Sequence, residues 1–284
     1  MTSSPRTDSD TGRLSTLGPE ATLLMQRLDS VFTTWAADVG ALAMTTPALL
    51  RVTDLARLDV LDNFPNQVVL ATPLDLAAWP AARTGDVEAI ATEALEPAAL
   101  ALPTAACYSV YLHYQGESIA DGTTVTVLGR CFRREQRYVE LRRLLAFHMR
   151  EVVALGSQEF VLEHLSRFDT RITAFCAALG LSVRKEAATD PFYQGESLRK
   201  RWQQIDPVKH EFIVDDLAIA SVNRHRNFFG ERCDITLADT TKPVFTSCAA
   251  FGLERWLSVL LGRYGRWDAA LAALETVTTP HGKG

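Results

Sequence analysis

The sequence predicts an α+β protein with a strand-rich core and flanking helices. Two patterns predict this fold: apolar stripes at helical spacing and runs of β-branched residues are interleaved along the chain. No internal repeat interrupts this order, so we expect residues 20–284 to form one domain. Residues 1–19 are rich in Ser, Thr, Asp and Gly, and we expect a disordered tail there.

Composition narrows the class of protein. Of the 284 residues, 47% are hydrophobic and 22% are charged, which is typical of a globular protein with a sizeable core. The net charge of −5 argues against a protein that wraps a long polyanion. The first residues lack the apolar core of a signal peptide, so we expect a cytoplasmic protein that does not associate with membranes. The five cysteines lie outside any C-x-x-C spacing, which favours free thiols or metal ligands over a disulfide framework.

The sequence predicts two amphipathic helices and indicates residues at which they begin or end. The first ends at Gly40, and its apolar stripe comprises Leu24, Leu28, Val31, Phe32, Trp35 and Val39. A short strand leading into Pro47 follows it. The second helix begins after Ser157, whose hydroxyl can cap it, and ends at Gly180. Its stripe comprises Val161, Leu165, Phe168, Ile172, Phe175 and Leu179.

The central strands form a predicted hairpin. Val125 and Val127 alternate with Thr124 and Thr126, which indicates a half-buried strand over residues 123–132. The charged run 134–143 suits a loop, and residues 144–153 return as a second strand. One buried strand is predicted over residues 211–222 and another over 245–248, the latter entering a helix that carries Arg255. A terminal helix is predicted over residues 267–277.

Arg133 and Glu135 follow the first hairpin strand at a spacing that suits a nucleotide site. Side chains at i and i+2 of a strand share a face, so both can point into one pocket. A guanidinium binds phosphate bidentately, and a carboxylate can accept from the exocyclic amine of adenine. By itself an Arg-x-Glu pair is more often a surface ion pair. The late segment Phe251-Gly252-Leu253-Glu254-Arg255 adds a second element of the same kind of site.

In order and spacing, these segments resemble motifs one, two and three of the class II aminoacyl-tRNA synthetase core, in its seryl-type branch. The resemblance implies the fold of that core, an antiparallel sheet flanked by helices. The chain most resembles the amino acid:carrier-protein ligases, which are truncated homologues of seryl-tRNA synthetases. The resemblance covers roughly residues 20–265. The matching segments are Pro-Thr-Ala-Ala-Cys-Tyr at 103–108, Arg-Cys-Phe-Arg at 130–133, Met-Arg-Glu at 149–151, Asp-Pro-Phe at 190–192 and Cys-x-x-Phe-Gly-Leu-Glu-Arg at 248–255.

The resemblance implies a role for each matching residue around ATP. Arg133 and Arg255 would be the catalytic residues, with Arg133 on the α-phosphate and Arg255 over one face of adenine. Glu135 would read adenine, and Phe147 would stack on its other face. Arg143 would reach the outer phosphates. Mg²⁺ would be bound with the help of Glu151 or Asp234.

Amino acid binding departs from the seryl-type pattern. The resemblance implies amino acid contacts from Thr104, Lys209, Glu211 and Asn223, but alanines follow Thr104 where a carboxylate for the ammonium is expected. In the zinc-dependent branch, a metal held by Cys, Glu and Cys binds the amine. Cys131 and Cys248 match the two cysteines, whereas the glutamate falls on Thr170. Candidates for the third ligand are Asp169, His164 and Cys176. Alternatively, no zinc is bound and these thiols are small core residues.

The resemblance implies a dimeric enzyme that activates a small amino acid with ATP and Mg²⁺, and with Zn²⁺ if the metal site is real. The aminoacyl group would pass to the phosphopantetheine thiol of an acidic carrier protein. The tRNA-binding arm is absent, so we expect no tRNA substrate. Basic residues that could meet the carrier are Arg184, Lys185, Arg199, Lys200, Arg201, Arg224, Arg226 and Arg232. Two alternatives stay open: a non-catalytic paralogue that binds a ligand or partner, and transfer to a small-molecule acceptor.

Overall fold

A computed structural model of the chain describes residues 15–82, 89–188 and 208–278. Within them a seven-stranded sheet runs in the order β1-β6-β7-β12-β10-β9-β8, and every neighbouring pair is antiparallel except β1 with β6. The strands are β1 (Leu42–Met44), β2 (Leu50–Arg51), β3 (Val69–Ala71), β4 (Leu100–Leu102), β5 (Ser118–Ile119), β6 (Thr123–Phe132), β7 (Ala146–Gly156), β8 (Val183–Ala188), β9 (Lys209–Val214), β10 (Leu217–Arg226), β11 (Thr236–Leu237) and β12 (Phe245–Gly252).

Helices surround this sheet. They are α1 (Pro19–Asp38), α2 (Val52–Arg57), α3 (Val60–Asn63), α4 (Trp79–Ala82), α5 (Tyr108–His113), α6 (Gln158–Ala178), α7 (Phe228–Arg232), α8 (Leu253–Tyr264) and α9 (Trp267–Thr278), with 3₁₀ turns at Pro65–Gln67 and Thr92–Ala94. A smaller sheet in the order β2-β4-β3 and a two-stranded pair of β5 and β11 complete the fold. No helix in the described ranges is both long and apolar enough to cross a membrane.

One face of the large sheet is covered by α1, α6, α8 and α9. Phe32 of α1 stacks on Phe251 of β12 with ring centroids 4.1 Å apart, and Trp256 of α8 packs beside them. A buried ion pair fixes α1 to the sheet: Nε and Nη2 of Arg150 each donate to a carboxylate oxygen of Asp29 at 2.7 Å. This bidentate geometry is the strong form of an arginine–carboxylate contact.

The other face carries a second apolar cluster and remains open at its centre. Val127, Val153 and Cys248 lie on this face, and α5 and the segment from Leu50 to Leu58 pack against it. Strand alternation therefore divides the residues of β7 between a helix-covered face and an open face. We call the latter the cleft face.

The local predictions are largely confirmed, with one exception. The first helix ends before Gly40, the hairpin pairs β6 with β7, and the hydroxyl of Ser157 accepts from the amide of Phe160 at the start of α6. The predicted single strand over 211–222 is wrong, because a turn at Asp215, with φ of +54°, separates β9 from β10. The α+β fold with an antiparallel sheet flanked by helices is confirmed, and the short edge strand β1 joins that sheet in parallel. The Asp-Pro-Phe segment at 190–192 and the basic residues 199–201 lie outside the described ranges.

Candidate active site

A cleft of about 400 Å³ opens on the cleft face of the sheet. Strand register explains why its walls come from distant parts of the chain, since residues directly opposite each other on antiparallel strands share a face. The pairs Glu151–Ala250 and Asn223–Cys248 both line it. The residues expected from the sequence that line this cleft are Thr104, Arg133, Glu135, Arg143, Phe147, Glu151, Lys209, Glu211, Asn223, Cys248 and Arg255.

Two arginines are held in the cleft by backbone carbonyls. Nε of Arg133 donates to the carbonyl of Thr104 at 3.0 Å, and its guanidinium carbon lies 5.2 Å from the ring centroid of Phe147. Nε and Nη1 of Arg255 donate at 3.0 Å to the carbonyls of Arg142 and Ala218. Both guanidinium groups are thus oriented before any ligand arrives.

The charges around Arg255 disfavour its cationic form. Burial, followed by the nearby positive charges of Arg133 and Arg143, lowers the pKa of Arg255 to about 10, although Glu211 and Glu135 oppose the shift. Arg255 stays protonated at neutral pH. Arg133, Arg143 and Arg255 therefore share this cleft with Arg142 and Arg224, and their positive charges repel each other. An anionic ligand there would replace this repulsion by attraction.

Two ion pairs accompany these arginines in the cleft. Nη1 of Arg143 donates to Glu135 at 3.0 Å, which joins the two ends of the loop between β6 and β7. Lys209 lies 2.9 Å from a carboxylate oxygen of Glu211 on β9. A ligand that binds Glu135 with one end and Arg143 with the other must therefore break the ion pair between these two residues.

A buried cluster of ligand-type atoms lies at the inner end of the cleft. The sulfur atoms of Cys107 and Cys248 and a carboxylate oxygen of Glu151 all lie within 4.8 Å of one another. Oε1 of Glu151 accepts from the amide of Ala106 at 3.0 Å. Its Oε2 is buried and has no hydrogen-bond partner among the described residues. An orphaned buried carboxylate oxygen is costly and requires either a proton or a cation.

The chemistry of this cluster fits a zinc ion. A hydrogen bond to Cys248, together with burial and the charge of Glu151, raises the pKa of Cys107 well above its usual value. The bond from Cys107 lowers the pKa of Cys248, but burial and Glu151 outweigh it, so this pKa is also raised. Three crowded acidic groups cannot all ionise without a positive charge between them. Two thiolates and a carboxylate form a three-ligand set that leaves a position open on Zn²⁺.

Polar side chains surround Cys248. Nδ2 of Asn223 donates to the sulfur of Cys248 at 3.3 Å and to the hydroxyl of Ser221 at 3.1 Å. Nε2 of His225 lies 3.9 Å from the same sulfur, and its Nδ1 lies 3.2 Å from the hydroxyl of Tyr111. Burial lowers the pKa of His225 to about 3, so the ring is neutral. Donors aimed at a sulfur favour its thiolate form.

Three residues expected in the site lie elsewhere. Cys131 is buried in the apolar cluster of the cleft face but is not a member of the ligand cluster. Asp169 forms an ion pair with Lys185 of β8, and it cannot serve as a ligand because α6 covers the opposite face of the sheet. For the same reason Thr170, His164 and Cys176 are excluded. Asp234 borders a separate depression with Arg57 and Arg232 and does not line the cleft.

The structure instead brings in Cys107 and assigns Glu151 to the cluster. Both residues stand in segments that carry the family resemblance, Pro-Thr-Ala-Ala-Cys-Tyr and Met-Arg-Glu. Their spacing in the sequence gives no direct signal, because Cys107 lies at the start of α5 and Glu151 lies within β7. The signal that could have found them is the pair of matching segments itself, since a cysteine stands in the first and a glutamate in the second.

No family model matches the chain. Amino acid–acyl-carrier-protein ligase 2 of Bradyrhizobium diazoefficiens is 32% identical over 245 residues, which are 80% of this chain and 71% of that protein. Amino acid–acyl-carrier-protein ligase 1 of the same organism is 30% identical over 259 residues, 85% of this chain and 77% of that protein.

Solved structures with the same fold include two seryl enzymes. The SerRS of M. kandleri, in complex with A. aeolicus tRNASec, aligns with a TM-score of 0.78 at 16% identity, over 96% of this chain and 58% of that chain. The cytoplasmic serine-tRNA ligase of Naegleria fowleri, in complex with AMP, gives 0.67 at 12% identity, over 92% and 55%. At these identities the likeness concerns the fold, which is that of class II synthetases. Since it also matches the first relative at 32% identity over 71% of that protein's length, the chain belongs to the amino acid–acyl-carrier-protein ligase family.

Proposed function

We propose that this protein is an AMP-forming ligase that activates a small amino acid as its adenylate and transfers it to the phosphopantetheine thiol of a carrier protein. The observation that carries this proposal is the convergence of Arg133, Arg143 and Arg255 in one cleft, next to the buried cluster of Cys107, Glu151 and Cys248. The first group suits a triphosphate, and the second suits the amine of an amino acid.

The three arginines suit different parts of ATP. Arg133, fixed by the carbonyl of Thr104, binds the α-phosphate, and Arg143 binds the outer phosphates once it leaves Glu135. Phe147 and Arg255 hold the two faces of adenine, and the freed carboxylate of Glu135 accepts from the adenine amine. Binding of ATP thus replaces the ion pair between Glu135 and Arg143 by one contact of each residue with ATP.

Two group transfers follow from this arrangement. In the first, a carboxylate oxygen of the amino acid attacks the α-phosphorus, the bond to the β-phosphate oxygen breaks, and pyrophosphate leaves. Arg133 stabilises the charge that develops on the α-phosphate. In the second, the phosphopantetheine thiolate attacks the carbonyl carbon, the bond to the phosphate oxygen breaks, and AMP leaves.

Cys107, Glu151 and Cys248 would hold Zn²⁺, which would supply an open coordination position and a Lewis acid for the substrate amine. The buried Oε2 of Glu151, which has no hydrogen-bond partner in the described part of the chain, supports this assignment. It replaces the Mg²⁺ role expected for Glu151, and Mg²⁺ would enter with the phosphates of ATP. The alternative of a non-catalytic paralogue rested on a missing third ligand, and Glu151 removes that reason.

The remaining contacts to the amino acid come from the strands beside the metal cluster. Lys209 and Glu211 line the cleft on β9, and Thr104 lies next to Arg133. Asn223 is engaged with Cys248 through its amide nitrogen, so we assign it to orienting that sulfur.

We also propose a homodimer formed through α1 and β1. Leu42 on β1, an edge strand of the sheet, is 74% exposed, and Leu23 on α1 is 42% exposed. Covering these leucines would lower the free energy of the assembly. For the carrier protein, Arg184 and Lys185 offer less charge than their sequence suggests, since each pairs with an acidic side chain. We expect no tRNA substrate.

Amino-acid-dependent exchange of pyrophosphate into ATP tests the first step, screened over the twenty amino acids. Mass spectrometry of a phosphopantetheinylated carrier protein, with and without ATP, then tests the second step. Exchange with a small amino acid, and a carrier mass increased by that aminoacyl group, are expected. Absence of exchange with every amino acid in the zinc-loaded protein would refute the proposal.

A further inference from the structure

Glu254 joins two segments of the cleft that are far apart in the chain. Its side chain is buried, with the whole residue only 4% exposed. The carboxylate accepts from the backbone amide of His148 at 3.0 and 2.8 Å and from Nδ1 of the same residue at 2.7 Å. A carboxylate buried in this way is stable only because N–H groups take the place of water around it.

The contact between Glu254 and His148 lies just beyond the end of a strand ladder. The ladder between β7 and β12 ends at the pair of Met149 and Gly252. Beyond that pair, β7 continues to Phe147 while the chain of β12 turns into α8 and reaches Arg255. The bonds from His148 to Glu254 therefore connect the two segments directly after the ladder stops. Each bonded residue is the immediate neighbour of a residue proposed to hold one face of adenine.

We infer that Glu254 is a positioning residue that fixes the separation of Phe147 and Arg255 for the adenine ring, an inference that rests on the proposed function. The carbonyls that bind Arg255 belong to Arg142 and Ala218, neither of which lies on β7. They orient the guanidinium without tying α8 to the strand that carries Phe147. Glu254 supplies that tie.

A carboxylate is better suited to this position than an amide. Both oxygens of Glu254 accept from N–H groups of His148, so Glu254→Gln would place an NH₂ group against one of these donors. The loss should appear in ATP binding, because the variant shifts the two sides of the adenine site relative to each other. A displacement of about 1 Å in a positioned group is enough to reduce activity strongly.

Four variants test the inference. Glu254→Gln disturbs the contact between Glu254 and His148. His148→Ala removes the hydrogen bond from Nδ1 and leaves those from the backbone amide. His148→Asn is the rescue, because an Asn amide nitrogen can occupy the place of Nδ1. Glu163→Gln is the matched control, since Glu163 forms an exposed ion pair with Arg167 on α6. Steady-state pyrophosphate exchange gives KM for ATP and for the amino acid, and calorimetry gives the Kd of ATP.

We expect Glu254→Gln to raise the KM and Kd of ATP roughly tenfold, as for one lost hydrogen bond to a charged group. The KM of the amino acid should stay within about twofold. His148→Ala should weaken ATP binding, and His148→Asn should restore it. Equal increases in both KM values, or a normal Kd for ATP, would overturn the inference. If Glu254→Gln does not fold, the two His148 variants decide. If the parent protein binds ATP but catalyses no exchange, the proposed function fails and the ATP Kd values still decide the role of Glu254.

Discussion

Replacing Arg255 by alanine separates a role in ligand binding from a role in folding. Two hydrogen bonds to backbone carbonyls are lost, at a cost of about 3–6 kcal/mol in total for bonds to a charged donor. Against this, burial and neighbouring cations lower the pKa of Arg255 to about 10, which corresponds to about 3 kcal/mol of unfavourable free energy that the variant no longer carries. The second contribution offsets much of the first, so the free energy of unfolding should fall by about 3 kcal/mol or less.

Pyrophosphate exchange should respond very differently. Loss of a preorganised cation at the nucleotide should reduce exchange by a factor of about 100 or more. Stabilisation of the protein by ATP in thermal melts should disappear as well. Arg255→Lys keeps the charge but cannot reproduce two planar donors, so we expect partial recovery of ATP binding. Normal exchange in the folded alanine variant would refute the proposed nucleotide site, and a loss well above about 3 kcal/mol in urea denaturation would show that Arg255 is mainly structural.

Three further predictions concern the metal cluster and pH. Cys107→Ser should lose stoichiometric zinc by elemental analysis, whereas Cys131→Ser should retain it; the reverse result would refute the assignment of ligands. Asn223→Ala should weaken zinc affinity in chelator competition by roughly tenfold, since it removes the N–H donor to Cys248, and an unchanged affinity would exclude that role. Burial lowers the pKa of His164 to about 3. The contribution of the neutral ring to the free energy of unfolding is therefore fully present above about pH 6.5 and is lost as the pH decreases towards 3. Between pH 7 and pH 5, His164 should lower the free energy of unfolding by about 2 kcal/mol, and His164→Gln should lack this decrease in urea denaturation. An identical pH dependence in the parent protein and the variant would contradict this.

Local patterns in the sequence were sufficient for the elements that carry the proposed nucleotide site. Alternation and charge predict the hairpin of β6 and β7, and the Ser157 cap and Gly180 mark the ends of α6. These features depend on neighbours within a few residues. The turn between β9 and β10 was missed because Asp215 adopts a left-handed conformation that a continuous β-rich pattern does not reveal.

The metal cluster depends on information that one sequence does not contain. Cys107 and Cys131 are both buried beside the same sheet face, and their residue type does not distinguish a ligand from a core thiol. Only the placement of α5 next to Glu151 and Cys248 decides between them. Likewise, periodicity places Asp169 and Cys176 on a helix but does not say which face of the sheet that helix covers.

The buried pair of Arg150 and Asp29 has a consequence for communication across the sheet. Arg150 holds α1 on one face, while the next residue, Glu151, belongs to the ligand cluster on the other. A single peptide bond therefore separates the anchor of the proposed dimer helix from the proposed zinc ligand. A change in the tilt of α1 on dimer formation would rotate this peptide and alter the reach of the Glu151 carboxylate. Subunit association and amine capture would then be one coupled equilibrium, and metal affinity would depend on protein concentration.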